Sequence, residues 1–194
     1  MANENYLGSM KRQFLFYKDL AEKAIEQVSD EKLFWQFNDD SNSISIVVKH
    51  LSGNMISRWT DFFTTDGEKE NRNRDSEFEN NVKSREELIK VWNKGWDCFL
   101  NTLNKIKTDD LEKIIYIRNQ GHTVMEALNR QLAHYSYHIG QIVFIAKMTK
   151  NNDWKSLSIP KNKSNDYNSE KFCEPKEKKH FTDEFLKKDS DKNK

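Results

Sequence analysis

Residues 1–152 predict an all-α fold, a four-helix bundle, followed by an extension over 153–194. Three observations carry this. Four long segments repeat apolar residues at three- and four-residue steps, the spacing that gives a helix one apolar face. Capping residues stand where those segments begin, because Ser, Thr and Asn side chains can accept from the free N–H groups of a helix start. Large apolar side chains concentrate between residues 6 and 150, whereas the C-terminal stretch is dominated by Lys, Asp, Asn, Ser and Glu.

The first segment carries Tyr6, Met10, Phe14, Tyr17, Ala21, Ala24 and Val28 on one face. A short helical turn or two is expected in SDEKLFWQF, begun by Ser29. The second long helix should start at SNSIS and run through ISIVVKHLSGNMISRWTDFF, with Val47, Leu51, Met55, Trp59 and Phe62 as its apolar stripe. Gly53 inside it costs about 1 kcal/mol relative to Ala, so close approach of another helix is its expected reason. Ser84 and Glu87 form a capping box opening the third helix, which keeps its period from Leu88 to about Lys107. IIYIRNQGHTV alternates around an Asn-Gln-Gly turn and predicts a small β-hairpin. Thr123 and Glu126 then cap a fourth helix reaching about Thr149. The link from about Thr65 to Lys83 exceeds the usual 2–8 residues of a bundle connection. A link that long can cross the length of a helix, which allows helices two and three to run parallel and argues against a simple up-down-up-down order.

Charge narrows the function. With 32 Lys+Arg against 31 Asp+Glu and no one-sided basic stripe, the chain has no electrostatic footprint for nucleic acid. The Lys-rich end, KEKKHFTDEFLKKDSDKNK, is interleaved with acids and reads as solvated. Cys98 and Cys173 lie far apart with no metal-ribbon or CxxC spacing, which suits a reducing compartment. The N-terminus lacks the apolar core of a signal peptide, and no apolar run is long enough to span a bilayer. A cytoplasmic protein without a membrane partner is expected.

The five histidines carry the remaining chemistry. His134 and His138, in HYSYH, stand one turn apart on a single helix face, so both imidazoles can reach one ion at about 2.0–2.1 Å. His50, in the second helix on a face with Asn54 and Arg58, is the natural third ligand. A lone histidine on an apolar face is ordinarily a core residue, and spacing alone leaves both readings open. Tyr135 occupies the place where a zincin has its Glu general base, so that protease class is excluded. His122 at the helix start and His180 in the tail read as cap and surface. Three imidazoles leave coordination positions open, the mark of a catalytic rather than a structural site. Such an ion lowers the pKa of a bound water or thiol, and the residues do not decide between hydrolysis and thiolate transfer.

IVVKHLSGN in helix two and HYSYHIGQIV in helix four, in this order and separation, resemble the DinB/YfiT superfamily of bacterial metal-binding four-helix bundles. SRWTDFFTTDGEKENRNRDSEFE and SLSIPKNKSNDYN further resemble a branch of that superfamily with no settled reaction, and the similarity covers about residues 3–168. The resemblance implies a divalent ion, commonly nickel or zinc, on His50, His134 and His138. It also implies an up-down-down-up bundle with a long crossover, and a homodimer. Better-understood relatives are S-transferases or isomerases using low-molecular-weight thiols, and others carry a hydrolase label. A metal-dependent enzyme that activates a low-molecular-weight thiol or water for attack on a small molecule, S-transferase-like, is therefore the leading expectation. A metal-dependent hydrolase, or a non-catalytic dimeric binding or stress-related protein with a vestigial site, is the alternative.

Several further residues are candidates for the surroundings of the ion. Arg58, two turns beyond His50, or Arg74 in the crossover could bind a carboxylate of the substrate or thiol. An ion-pair network of Arg72, Arg74, Asp75 and Glu77 clamping the loop is the stronger competing reading. Asn54, Gln131 and Gln141 are placed to orient ligands by hydrogen bonds. SIPKNKSNDYN is expected either as a lid over the site or as a plain exit from the bundle.

Overall fold

Four long helices form because their apolar faces find each other and their N-terminal N–H groups find capping side chains. In the computed structural model, which describes residues 2–186, these are α1 (Ala2–Glu26), α3 (Ile44–Trp59), α4 (Arg85–Lys105) and α5 (Val124–Lys150). The short α2 (Asp30–Leu33) follows Ser29. Ser43 Oγ accepts from the Ile46 N–H at 3.1 Å, and Ser84 Oγ from that of Glu87 at 3.1 Å. Thr123 and Glu126 close a reciprocal box at the start of α5. No helix among the described residues is long and apolar enough to cross a membrane.

Side-chain contacts give the helix directions. Ser52 Oγ donates to the Val91 carbonyl and Thr102 Oγ1 to that of Trp59, so α3 and α4 run parallel. Tyr6 donates to the Met125 carbonyl while Phe14 meets Tyr135 at 5.9 Å, so α1 and α5 are parallel too. His50 faces His134 and His138 while Arg58 reaches back to Gln131, which makes α3 and α5 antiparallel. Where these faces meet, an aromatic cluster fills the core. Phe14 and Phe99 meet at 4.5 Å, Trp59 and Phe99 at 4.8 Å, and Phe99 and Tyr135 at 5.5 Å. Edge-to-face pairs at these distances add to the stabilisation that burial alone supplies.

The helix expected to reach Phe63 stops at Trp59. Thr60 turns extended and Asp61 takes φ 49°, a left-handed conformation that Asp tolerates better than most residues. The apolar period misled because Phe62 folds back after the helix ends, stacking on Trp59 at 4.6 Å and remaining buried.

Parallel α3 and α4 require a chain that returns along the full length of α3, and residues 60–84 do this. The Lys69 N–H donates to Ser57 Oγ near the end of α3. Glu77 then reaches His50, and Lys49 Nζ donates to the carbonyls of Ser76 and Glu79 nearer its start. Gly53 faces this segment and not another helix: a Cβ there would lie 2.2 Å from Glu77 Oε1. The close helix approach is at Gly95, where a Cβ would meet the Ser52 Cα at 2.6 Å.

Strands β1 (Ile114–Ile117) and β2 (Gln120–Thr123) form the expected hairpin, with Ile115 opposite His122. The turn residues are Arg118 and Asn119, with φ 55° and 60°, the positive pair that a two-residue turn matching strand twist demands. Asp66 supports it by accepting from the Arg118 and Asn119 N–H groups, both at 2.8 Å. The crossover and the hairpin are thereby joined beside the end of α3.

Beyond α5 the chain turns toward α1. The Lys155 N–H donates to Gln27 Oε1, and α6 (Ser164–Cys173) and α7 (Asp183–Leu186) follow. Phe181 and Phe185 pack on Phe16 at 5.7 and 5.2 Å, and His180 meets Ser9 Oγ at 2.9 Å. The solvated character expected of the Lys-rich end falls from residue 187 onward outside the described residues.

Candidate metal centre

His50 is buried in the middle of α3, and its Nδ1 lies 3.0 Å from Glu77 Oε2. Because an ionised carboxylate only accepts, Nδ1 carries a proton toward Glu77, and Nε2 is the nitrogen turned toward the other histidines. His138 is set the same way, with its Nδ1–H directed at Gln141 Oε1 at 3.0 Å. His134 differs. Its Nδ1 faces Gln131 Nε2 at 3.2 Å, and its Nε2 lies 3.4 Å from His50 Nε2. With the Gln131 amide oriented so, the His134 proton sits on Nε2 and points toward His50 Nε2. An ion on Nε2 would require the proton on Nδ1 instead, and with it a rearrangement of Gln131 and of the Asn54 and Arg58 groups bonded to it.

One nitrogen from each of His50, His134 and His138 can be chosen so that all lie within 4.8 Å of one another. Two nitrogens on one tetrahedral zinc stand about 3.3 Å apart, close to the 3.4 Å between His50 and His134. Neutral imidazole is also the form a metal requires. Burial pushes the His134 pKa down to about 3, helped by His138 and His50. Burial likewise lowers the pKa of His138, against the Gln141 hydrogen bond. The donor set fits a divalent ion.

Behind His50 stands a charged chain supplied by the crossover. Arg72 Nε and Nη2 donate to the two oxygens of Glu77 at 2.7 and 2.9 Å, and Arg72 Nη1 donates to Glu68 at 3.0 Å. Burial raises the Glu77 pKa, but hydrogen bonds from His50 and Arg72 outweigh it, so the carboxyl titrates below its usual range. Glu77 therefore stays ionised and holds the His50 ring and tautomer in place. The Phe78 ring packs at 5.0 Å from the His50 ring, closing that side.

Asn54, Arg58, Gln131 and Arg74 lie close to the three histidines, and Gln141 bonds to His138. Gln131 Nε2 donates to Asn54 Oδ1 at 2.6 Å while also meeting His134. Arg58, buried, donates to the Gly67 carbonyl at 3.3 Å and to Gln131 Oε1 at 3.4 Å. Arg74 lies with its guanidinium 5.0 Å from the centre of the Phe78 ring. His122 does not join the three histidines; it sits on β2, 3.2 Å from Arg130 Nη1. His180 is held against α1.

A cavity of about 330 Å³ opens on the three histidines. Its wall also includes Glu68, Arg118, Arg130 and Phe78, none of which helical spacing identified. The segment SIPKNKSNDYN, residues 158–168, for which a lid was one expectation, does not line this cavity. Charge in the crossover pointed to Glu77 as an ion-pair partner, and Gly53 signalled that something presses on α3 there, because a glycine inside a buried helix face marks a close approach to the backbone. The meeting of His50 on α3 with His134 and His138 on α5 is a tertiary fact without a local signature.

Comparison with known proteins adds one finding. Neither the curated proteins nor the solved structures contain a match to this chain. Residues 1–163 match the family described as Protein of unknown function (DUF1572). With most of its length covered by that match, the chain belongs to the DUF1572 family.

Proposed function

We propose that this protein is a divalent-metal-dependent enzyme of the DinB/YfiT type that activates a low-molecular-weight thiol for transfer to a small molecule. Under this reading the four long helices are an up-down-down-up four-helix bundle. The supporting observation is the orientation of His50 and His138, each held by an acceptor on Nδ1 so that Nε2 is free beside His134. Nickel or zinc suits three imidazoles. The ion, when bound, would lower the pKa of a thiol or water at its open positions.

The chain's own residues favour the thiol over water. Base-assisted hydrolysis needs a carboxylate or imidazole free to take a proton from water. Among the described residues lining the cavity the one carboxylate is Glu68, which is held by Arg72 at 3.0 Å and approached by Arg118 at 3.5 Å. A thiol is already acidic enough to ionise with an ion's help alone. Hydrolysis by metal-bound water is the second reading, distinguished by whether turnover requires an added thiol.

Elemental analysis of tag-free protein tests the centre. About one equivalent of nickel or zinc is expected, with loss of it in the His134→Ala/His138→Ala variant. Retention of metal by that variant sinks the site as drawn. Consumption of monochlorobimane that depends on an added bacillary, mycobacterial or glutathione-type thiol tests the reaction. A homodimer belongs to the same reading: Phe37, Tyr137 and Phe144 are 73%, 64% and 66% exposed around one groove beside the site. Light scattering at the monomer mass would remove it. A cytoplasmic location, consistent with the two free cysteines, completes the reading.

A further inference from the structure

The cavity wall contains five arginines, Arg58, Arg72, Arg74, Arg118 and Arg130, with Glu68 as its one carboxylate. A network serving only to clamp the crossover should balance its charges, and part of this one does. Arg72 is spent on Glu68 and Glu77, and Arg118 approaches Glu68 at 3.5 Å. Among the described residues, no carboxylate pairs with Arg58, Arg74 or Arg130. Two acids against five guanidiniums leave three positive charges facing one small space.

Arg58 is the telling member. Its side chain is buried, yet both of its hydrogen bonds go to neutral oxygens and both are long, at 3.3 and 3.4 Å. Burial is the main cause that lowers its pKa; Tyr135 and Glu68 act against that, and the nearby Arg130 and Arg72 add to it. A buried guanidinium without an anion is costly to keep unless a ligand supplies the anion. Guanidinium is also the group that grips a carboxylate or phosphate with two parallel N–H donors.

We propose that this cavity binds a small molecule carrying a compact oxyanion, a carboxylate or phosphate, gripped by Arg58, Arg74 and Arg130 beside the three histidines. At about 330 Å³ the space sits at the small end for ligand pockets, which selects a small metabolite over a peptide or lipid. Phe78 is the one hydrocarbon ring in the wall, so the bound end is polar. The placement of the ligand's reacting end rests on the proposed metal centre, whereas the grip on the anion does not.

Titration calorimetry with inorganic phosphate and with malonate, on metal-free and on metal-loaded full-length protein, tests this. Malonamide serves as the neutral control. Saturable one-to-one binding of phosphate or malonate to metal-free protein is expected, with none for malonamide. The stronger of the two anions identifies the head group. Arg130→Gln and Arg74→Gln are each expected to weaken binding about tenfold, the loss of one charge-assisted pair. Arg58→Gln could unfold the chain, so these two exposed arginines keep the test interpretable, with thermal denaturation confirming an unchanged fold. Lys90→Gln, on the exposed face of α4, should leave binding unchanged. Absence of saturable anion binding overturns the proposal, as does equal binding by the Arg130→Gln and Arg74→Gln variants. Anion binding by a protein that takes up no metal would support the proposal and sink the metal reading alone. Metal uptake without anion binding would do the reverse.

Discussion

Replacing Gly53 with alanine places a methyl group where the carboxylate of Glu77 now lies, 2.2 Å from Oε1 and 2.6 Å from the carboxyl carbon. In an unconstrained helix this substitution stabilises by about 1 kcal/mol. Here Glu77 cannot simply swing aside, because His50 holds one oxygen and Arg72 holds both. Displacing it leaves Arg72 without its strongest partner in a site where both side chains are less than 10% exposed. Breaking a buried pair of this kind costs about 3–5 kcal/mol, so the net loss should be about 2–4 kcal/mol. For a domain of this size that corresponds to a fall in Tm of roughly 5–15 °C. Loss of the partner that orients His50 should weaken nickel or zinc binding by about 10–100-fold, although no ligand has been touched. A double-mutant cycle with Glu77→Ala isolates the cause. Once the carboxylate is gone the alanine methyl has room, and Gly53→Ala should then be neutral or stabilising. Denaturant unfolding of metal-free protein and metal titration provide the two readouts. A Gly53→Ala protein as stable as wild type with unchanged metal affinity would refute the reasoning. So would an equal cost in both backgrounds.

Three other outcomes follow from the same structure. Tyr135→Phe removes the acceptor of the buried Trp59 indole N–H, now bonded at 3.0 Å, and should cost about 1–3 kcal/mol in urea unfolding; an unchanged midpoint would show that the bond contributes nothing. Asp66→Ala deprives the Glu68, Arg118 and Asn119 N–H groups of their acceptor, so the hairpin turn amides should exchange faster and stability should fall by about 1–2 kcal/mol. In metal-free protein His134 should stay neutral far below its ordinary value of 6.5, with a midpoint near 3 by NMR. Since its folded pKa is depressed, the unfolded chain takes the proton first. The stability it contributes is therefore complete above pH 6.5 and lost as pH falls from there toward about 3. A midpoint at or above 6.5 would contradict the burial argument.

The helices, their caps and the hairpin were legible in the amino-acid order, because these depend on neighbours within a few residues. Ser43, Ser84 and Thr123 cap as their local context dictates, and apolar residues at helical steps require a face to bury. His134 and His138 were legible for the same reason, one turn apart on a single helix. The end of α3 was not legible, because Phe62 keeps the apolar period while the backbone leaves the helix at Thr60. The long crossover allowed α3 and α4 to run parallel, yet its length says nothing about where its side chains land. Only the tertiary structure decided that Glu77 reaches His50 through the space Gly53 leaves open. It alone gathered Arg58 from α3, Arg74 from the crossover, Arg118 from the hairpin turn and Arg130 from α5 around one cavity. Charges on four separate elements carry no common period, so their convergence arises when the helices pack and the loop folds back across them.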